Sequence, residues 1–157
     1  MAKKPVTALV LVHTDSIDSF ADVTEMESPE QAEQLALSME MYVKSHKGPV
    51  IVVRQGWKLR NRYAITFLRE AENAGAYFIK FDEGEGAKKW GPFLKKLRLL
   101  LNSLNVSEVE IGGIWYTDDL KSGCVSHTVK YLRRYFPTKV LLDAVAHEDW
   151  WNHDLSW

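Results

Sequence analysis

The chain has 157 residues, 46% of them hydrophobic and 26% charged, with a formal net charge of -1 at pH 7. This is the size of one domain that buries about two-thirds of its unfolded surface, and the composition excludes a disordered chain. The charge balance excludes a bulk attraction to nucleic acid or anionic membranes, and the single cysteine excludes an intrachain disulfide and a multi-cysteine metal site.

The N-terminal part predicts neither a membrane span nor a secretory signal. The apolar run at 7–12 is too short to cross a bilayer, and Asp15 and Asp18 follow it before any cleavage-site pattern. The basic clusters at 95–98 and 133–134 are interpreted as solvated helix faces, because acidic residues elsewhere balance them. We therefore expect a cytoplasmic protein without nucleic-acid or membrane partners.

Apolar runs of strand length alternate along the chain with segments of helical periodicity. The first helix opens with a start signature, in which Ser28 and Pro29 are followed by Gln31. Gly48 and Gly75 follow the first two helical segments, as is typical of helix ends. In chain order, the predicted elements are a strand at 7–12, a helix from 29 to about 47, a strand at 49–53, a helix at 63–71, a strand at 77–81, a helix at 90–104, a strand at 109–114, a helix at 125–135 and a strand at 139–144.

This alternation predicts a three-layer, doubly wound α/β domain, with a mainly parallel sheet of five or more strands and helices on both faces. Right-handed crossovers place the strand-to-helix loops at the carboxyl edge of such a sheet, where ligands bind near the topological switch point. We expect one domain across residues 1–157, in which 147–157 form a tryptophan-rich extension. Its tryptophans are expected to cap the sheet, fill a dimer interface or line the active-site cleft.

Cys124 is the leading candidate for a reactive group. It follows the fourth predicted strand and opens the next helix, where the helix dipole and unpaired amides stabilise a thiolate and an oxyanion. The alternative is a structural thiol, since free cysteine is among the most buried residue types.

The loop after the first strand carries His13, Asp15 and Asp18. A carboxylate at this position is placed to act as a general base toward a group on a neighbouring strand. The alternative is that these side chains cap a turn.

The third predicted strand ends in a lysine. Lys80, or Lys88 and Lys89 in the loop beyond it, would stabilise a thiolate and the charge of a tetrahedral intermediate. The commoner interpretation is a strand-end lysine whose apolar stem lies on the protein while its amine reaches solvent.

The order of acid, lysine and cysteine is accompanied by more specific motifs. These are Asp143-Ala-Val-Ala146 after the fifth strand and a nucleophile motif made of Ile111-Gly-Gly113, Thr117-Asp118, Gly123-Cys-Val125 and Thr128. With them, the segment from Ala8 to Ala146 resembles the isochorismatase-like cysteine hydrolase family, which includes nicotinamidases and related amidases. The first strand resembles the family strand that ends in the catalytic aspartate, and Phe78-Ile-Lys80 resembles the segment that supplies the catalytic lysine.

The resemblance implies Cys124 as nucleophile, Asp15 as base and Lys80 as charge stabiliser, with no cofactor, no metal and a homo-oligomeric assembly. The residues that it implies for the substrate site are His13, Thr117, Asp118, Gly123 and Trp57.

The sequence also departs from the family pattern. Thr117 and Cys124 are separated by about four more residues than the pattern has, so the peptide that builds the oxyanion hole is altered. The aspartate position falls on His13 without a gap and on Asp15 with a small shift. The Asp-x-His zinc motif of nicotinamidases is absent where Arg54-Gln-Gly-Trp57 stands, which disfavours a nicotinamidase.

The favoured hypothesis is therefore a cysteine-dependent hydrolase that acts on a small amide or related C–N bond. The alternative is a catalytically degenerate small-molecule-binding or assembly protein on the same fold. A third hypothesis is a Mg-dependent phosphate-processing enzyme that uses Asp15, Asp18, Asp118 and Asp119, although no Gly-rich phosphate loop accompanies them.

Overall fold

The computed structural model describes residues 4–13, 29–54, 64–80 and 90–147, and gives the backbone alone for 29–32 and 64–68. The elements follow the predicted alternation of strands and helices. In chain order they are β1 (Thr7–Val12), α1 (Pro29–Ser45), β2 (Val50–Arg54), α2 (Ala64–Asn73), β3 (Tyr77–Lys80), α3 (Trp90–Ser103), β4 (Glu108–Tyr116), α4 (Cys124–Leu132) and β5 (Thr138–His147).

The described strands form one parallel sheet in the order β3-β2-β1-β4-β5. The chain moves outward from β1 to β3 and then returns to the far side of β1 to form β4. The switch point therefore lies between β1 and β4, and their carboxyl ends flank the crevice where doubly wound sheets bind ligands. The predicted α/β fold is confirmed.

The sheet separates two apolar cores. On one face, α3 and α4 pack through side chains such as Leu97 and Val129, which are fully buried. On the other face, α1 and α2 pack through side chains such as Met39 and Ala71. This arrangement gives the three predicted layers. Within the described ranges, no helix has the length and apolarity needed to cross a membrane.

Tertiary contacts move the ends of three elements from their predicted positions. β4 extends to Tyr116 and β5 spans Thr138–His147, with register shifts between the two strands. α4 ends at Leu132, and the amide of Tyr135 donates a hydrogen bond to the carbonyl oxygen of Leu132, 2.9 Å away, in the turn that follows. Pro137 disfavours helical geometry in Phe136, so the chain does not continue as a helix beyond this turn.

A glycine lets the two central strands approach each other at the switch point. Gly113 pairs with Val12 and has a φ of 124°, a conformation that side chains rarely permit. A Cβ atom at this position would lie 2.6 Å from the amide nitrogen of Val12 and would collide with its carbonyl oxygen. Any other residue would therefore push β4 away from β1 at the carboxyl edge.

Candidate functional site

The site begins where β1 leaves the sheet. His13 follows β1 with a left-handed φ of 53°, and only 2% of its surface is exposed. Its amide donates a hydrogen bond to the carbonyl oxygen of Val53, 2.7 Å away, which continues the pairing of β1 with β2. His13 is therefore a fixed, buried imidazole at the start of the first loop.

Cys124 lies at the same edge, as the first residue of α4. Its side chain is 6% exposed and packs in the core between the sheet and the layer of α3 and α4. Gly123 at the N-cap offers no side chain to the helix, and the amides of a first helical turn have no intrahelical acceptor. These amides and the helix dipole favour the thiolate, whereas burial favours the neutral thiol.

The long loop before Cys124 closes on itself through hydrogen bonds. The hydroxyl of Thr117 donates to the carbonyl oxygen of Ser122 at 3.1 Å, and the amide of Thr117 donates to the hydroxyl of Ser126 at 2.8 Å. The amide of Leu120 donates to the carbonyl oxygen of Thr117 at 3.0 Å. The extra residues therefore form a compact turn that is anchored to both the strand and the helix.

Gly123 makes the return from this turn a tight one. It has a φ of 98°, and a Cβ atom there would lie 2.8 Å from the carbonyl carbon of Trp115 in β4. The residue before Cys124 thus lies directly against the strand. The insertion consequently does not carry Cys124 away from the end of β4.

Two aromatic side chains near Cys124 were not singled out from the sequence. The Trp90 ring at the start of α3 lies 6.5 Å from the His13 ring and 5.6 Å from the His127 ring, measured between centroids. Trp90 therefore connects the end of β1 with the first turns of α4. The available signal was the Cys-x-x-His spacing of Cys124 and His127, because residues three apart lie on neighbouring positions of a helix.

A further histidine lies at the end of β5. His147 pairs with Tyr116 of β4, and their rings meet edge to face with centroids 5.6 Å apart. The carboxyl edge therefore carries imidazoles after β1, in α4 and at the end of β5, of which only His13 was predicted.

Lys80 ends β3, where its side chain is exposed. β3 lies three strand spacings from β4, which is about 14 Å at the usual separation of paired strands. Ile79 is buried in the core that contains Cys124, and successive strand residues point to opposite faces. The backbone therefore does not place Lys80 beside Cys124, and its side chain would have to reach back across the edge.

Asp118 and Asp119 are exposed in the turn after β4. The carboxylate of Asp119 accepts a hydrogen bond from the amide of Lys121 at 3.0 Å, and this bond lowers the pKa of Asp119. Among the residues that the structure describes, no group of three or more His, Cys, Asp or Glu side chains is arranged to hold a metal ion.

The motif residues Thr128 and Asp143 have structural contacts. The buried hydroxyl of Thr128 donates to the carbonyl oxygen of Cys124 at 2.8 Å. The hydroxyl of Tyr42 in α1 donates to the carboxylate of Asp143 at 2.6 Å. This bond, with a smaller effect of burial, raises the pKa of Tyr42 to about 12. Asp143 therefore ties α1 to β5.

Several predicted features lie outside the described residues. They are Asp15, Asp18, Trp57, Phe81, Lys88, Lys89 and the tryptophan-rich segment 148–157.

Comparison with known proteins identifies solved structures with a similar fold. No protein-family model matches the sequence, and no curated protein matches it. The structure is similar to the nicotinamidase SaPncA from Staphylococcus aureus, with a TM-score of 0.61 and 19% identity over 91% of this chain and 84% of that one. It is also similar to the YcaC gene product from Escherichia coli, an octameric hydrolase of unknown specificity, with a TM-score of 0.59 and 16% identity over 92% and 69% of the two chains.

A third similar structure is the MAR1 ribonuclease from Caenorhabditis elegans, with a TM-score of 0.50 and 20% identity over 93% of this chain and 68% of that one. Together these likenesses confirm the isochorismatase-like fold that the sequence motifs predicted. At these identities they establish the architecture and not the reaction.

Proposed function

We propose that this chain is a cysteine-dependent hydrolase of a small amide or related C–N bond, with Cys124 as its nucleophile. The observation that carries the proposal is the position of Cys124 at the first turn of α4, beside the switch point between β1 and β4. The likeness to a nicotinamidase and to a hydrolase of unknown specificity supports hydrolysis on this scaffold.

In the proposed reaction, Asp15 takes the thiol proton and the Cys124 sulfur attacks the carbonyl carbon of the amide. The first-turn amides of α4 hold the resulting oxyanion, with Lys80 or a lysine of the following loop supplying positive charge. The C–N bond then breaks as the leaving amine takes the proton from Asp15. Water hydrolyses the thioester, which releases the acid and restores the thiol.

The surroundings of Cys124 support a small substrate. The buried ring of His13 and the half-buried ring of Trp90 stand on one side of the switch point, and the compact turn that begins at Thr117 stands on the other. We propose Thr117, Asp118, Gly123 and Trp57 as further lining residues. A single domain across 1–157, a cytoplasmic location and a homo-oligomer stay predictions, the last supported by the octamer of the YcaC product.

The alternative is a small-molecule-binding or assembly protein that has lost catalysis. The 6% exposure of Cys124 and the position of Lys80 on a different part of the sheet favour this alternative. The two functions differ in the acidity of the thiol and in turnover, so one set of variants separates them.

The decisive experiment measures alkylation of the intact protein by iodoacetamide as a function of pH, followed by mass spectrometry. Cys124 is the single cysteine, so the label reports on it alone. A catalytic thiol should react with a midpoint at least one pH unit below the value of about 8.5 of an ordinary cysteine. Asp15→Asn should not move this midpoint upward, because a neighbouring carboxylate disfavours a thiolate, but it should abolish turnover; Asp18→Asn serves as the matched control for both measurements.

Turnover is tested with a panel of primary amides that includes nicotinamide, by detection of released ammonia. Activity in the wild type that disappears in Cys124→Ser supports the hydrolase. An ordinary thiol midpoint together with absent turnover would contradict it. Ligand-induced thermal stabilisation that is equal in the wild type and in Cys124→Ser would then support the binding protein.

A further inference from the structure

Charge is segregated between the two helical layers of the protein. No aspartate or glutamate occurs from Trp90 to Ser107 or from Leu120 to Leu142, the stretches that contain α3 and α4. On the other face, α1 and α2 contain more acidic than basic residues. The basic side chains of the first layer are Lys95, Lys96, Arg98, Lys130, Arg133 and Arg134.

These basic groups are available to a partner. All of them are exposed except Arg98, which is half-buried. Lys44 forms ion pairs with Glu40 and Glu70, and all three side chains lie on the opposite layer. Among the described residues, no acidic side chain forms an ion pair with the basic side chains of α3 and α4.

Two tyrosines lie among these charges where α3 passes the end of α4. The Tyr131 and Tyr135 rings are 5.2 Å apart between centroids, and 46% of Tyr135 is exposed. The Arg98 guanidinium lies 4.2 Å from the centroid of Tyr135 and 6.0 Å from that of Tyr131, and the Arg134 guanidinium lies 6.0 Å from Tyr135. The result is a partly exposed cluster of tilted aromatic rings and planar cations.

The two helices run side by side, so these contacts form a continuous strip. Trp90 contacts His127 near one end, and Arg98, eight residues further along α3, contacts Tyr135 in the turn after α4 near the other. Eight helical residues rise about 12 Å, with Lys95 one turn before Arg98 on the same side. We call this strip the α3–α4 seam, and its members are Lys95, Arg98, Lys130, Tyr131, Arg134 and Tyr135.

We propose that the α3–α4 seam binds single-stranded nucleic acid. Lysine and arginine side chains contact phosphates, while exposed tyrosine rings and guanidinium planes stack on unpaired bases. The net charge of -1 predicted no such partner because the acidic residues of the other layer cancel the sum. The seam lies apart from the thiol of Cys124, so this binding does not depend on hydrolysis.

The test is fluorescence anisotropy with a labelled 12-nucleotide RNA of mixed sequence, its DNA counterpart and the matching duplex, titrated with the intact protein from 50 to 200 mM salt. Contact with three or four phosphates should give a slope of about -2 to -3 in a plot of log K against log salt. The single strands should bind more tightly than the duplex, because only unpaired bases are free to stack on the tyrosines.

Substitutions of exposed residues separate the contribution of charge to binding from that of base stacking. Lys130→Glu and Arg134→Glu should each flatten the salt slope by about 0.7, whereas Lys47→Glu makes the same change of net charge outside the seam and should leave the slope unchanged. Tyr135→Leu should weaken binding by about five-fold or more without changing the slope. Cys124→Ser should bind like the wild type, which separates this proposal from the hydrolase.

Thermal melting verifies that each variant is folded. The proposal is overturned if the wild type shows no binding at 50 mM salt, if Lys47→Glu weakens binding as much as the seam variants, or if the duplex binds as tightly as the single strand. Association with phosphatidylserine vesicles in the absence of oligonucleotide binding would likewise refute it and assign the seam to a membrane surface.

Discussion

The close approach of β1 and β4 at Gly113 makes this residue a direct test of how the fold builds the site. In Gly113→Ala, the new Cβ would lie 2.6 Å from the amide nitrogen and 2.9 Å from the carbonyl carbon of Val12, and would collide with the carbonyl oxygen. Cβ atoms do not approach backbone so closely, so β4 must move away from β1. This displacement of β4 would disturb the packing between two buried strands at the centre of the sheet.

Two effects add to the cost of this substitution. Alanine at a φ of 124° is strained, which costs about 1–3 kcal/mol, and forcing an extra methyl group into a packed interior costs a further 1–3 kcal/mol. We therefore expect the free energy of unfolding to fall by about 2–6 kcal/mol. For a domain of ordinary stability, about 5–15 kcal/mol, that is a large fraction of the total.

Urea denaturation, followed by circular dichroism, measures the change. Gly91→Ala is the matched control, because Gly91 lies in the first turn of α3 and a Cβ atom there meets nothing within 4 Å. Alanine in a helix should stabilise the protein by about 0.5 kcal/mol. An unfolding free energy for Gly113→Ala within about 1 kcal/mol of the wild type would refute the packing that we describe between β1 and β4.

Three other substitutions test further contacts. Tyr42→Phe removes the hydrogen bond to Asp143 and should lower the unfolding free energy by about 1 kcal/mol at pH 7. The effect is no larger because solvent screens this partly exposed hydrogen bond. The folded-state pKa of Tyr42, about 12, exceeds its unfolded value of about 10. The contribution of this hydrogen bond to stability is therefore complete below about pH 10 and is lost as the pH rises toward 12. A stability difference between Tyr42→Phe and the wild type that stays constant from about pH 10 to pH 12 would contradict the hydrogen bond. Thr117→Val removes the hydroxyl that closes the turn before Cys124 and should cost about 1 kcal/mol in urea denaturation, with a changed rate of Cys124 alkylation. Leu97→Ala opens a cavity under α3 and should cost about 2–5 kcal/mol in the same assay, whereas a loss below 1 kcal/mol would argue against its burial.

The site was harder to anticipate than the fold because its members come from distant parts of the sequence. The position of Cys124 at the start of a helix follows from the apolar strand before it and the helical spacing after it, both local patterns. In the sequence, Trp90 is one member of the apolar stripe of α3. Only the packing of α3 beside α4 brings its ring to within 5.6 Å of the His127 ring.

The conformation of the loop before Cys124 also could not be predicted from the sequence. The number of residues between Thr117 and Cys124 predicts an altered peptide at the oxyanion hole. The structure absorbs the extra residues in a turn that Thr117 closes onto Ser122 and Ser126, and Gly123 then returns the chain to β4. Loop length alone does not predict this result, because the hydrogen bonds join residues whose partners are chosen by three-dimensional geometry.

The sequence by itself determined the order of strands and helices, the parallel doubly wound sheet and the place of Cys124 at its carboxyl edge. Hydrophobic periodicity carries this information because the burial of each element depends on its own spacing of apolar residues. Only the tertiary structure decided the extension of β4 and β5 and the placing of Lys80 three strands from β4. It also decided the basic and aromatic face of α3 and α4, since that face exists only once two helices distant in sequence lie side by side.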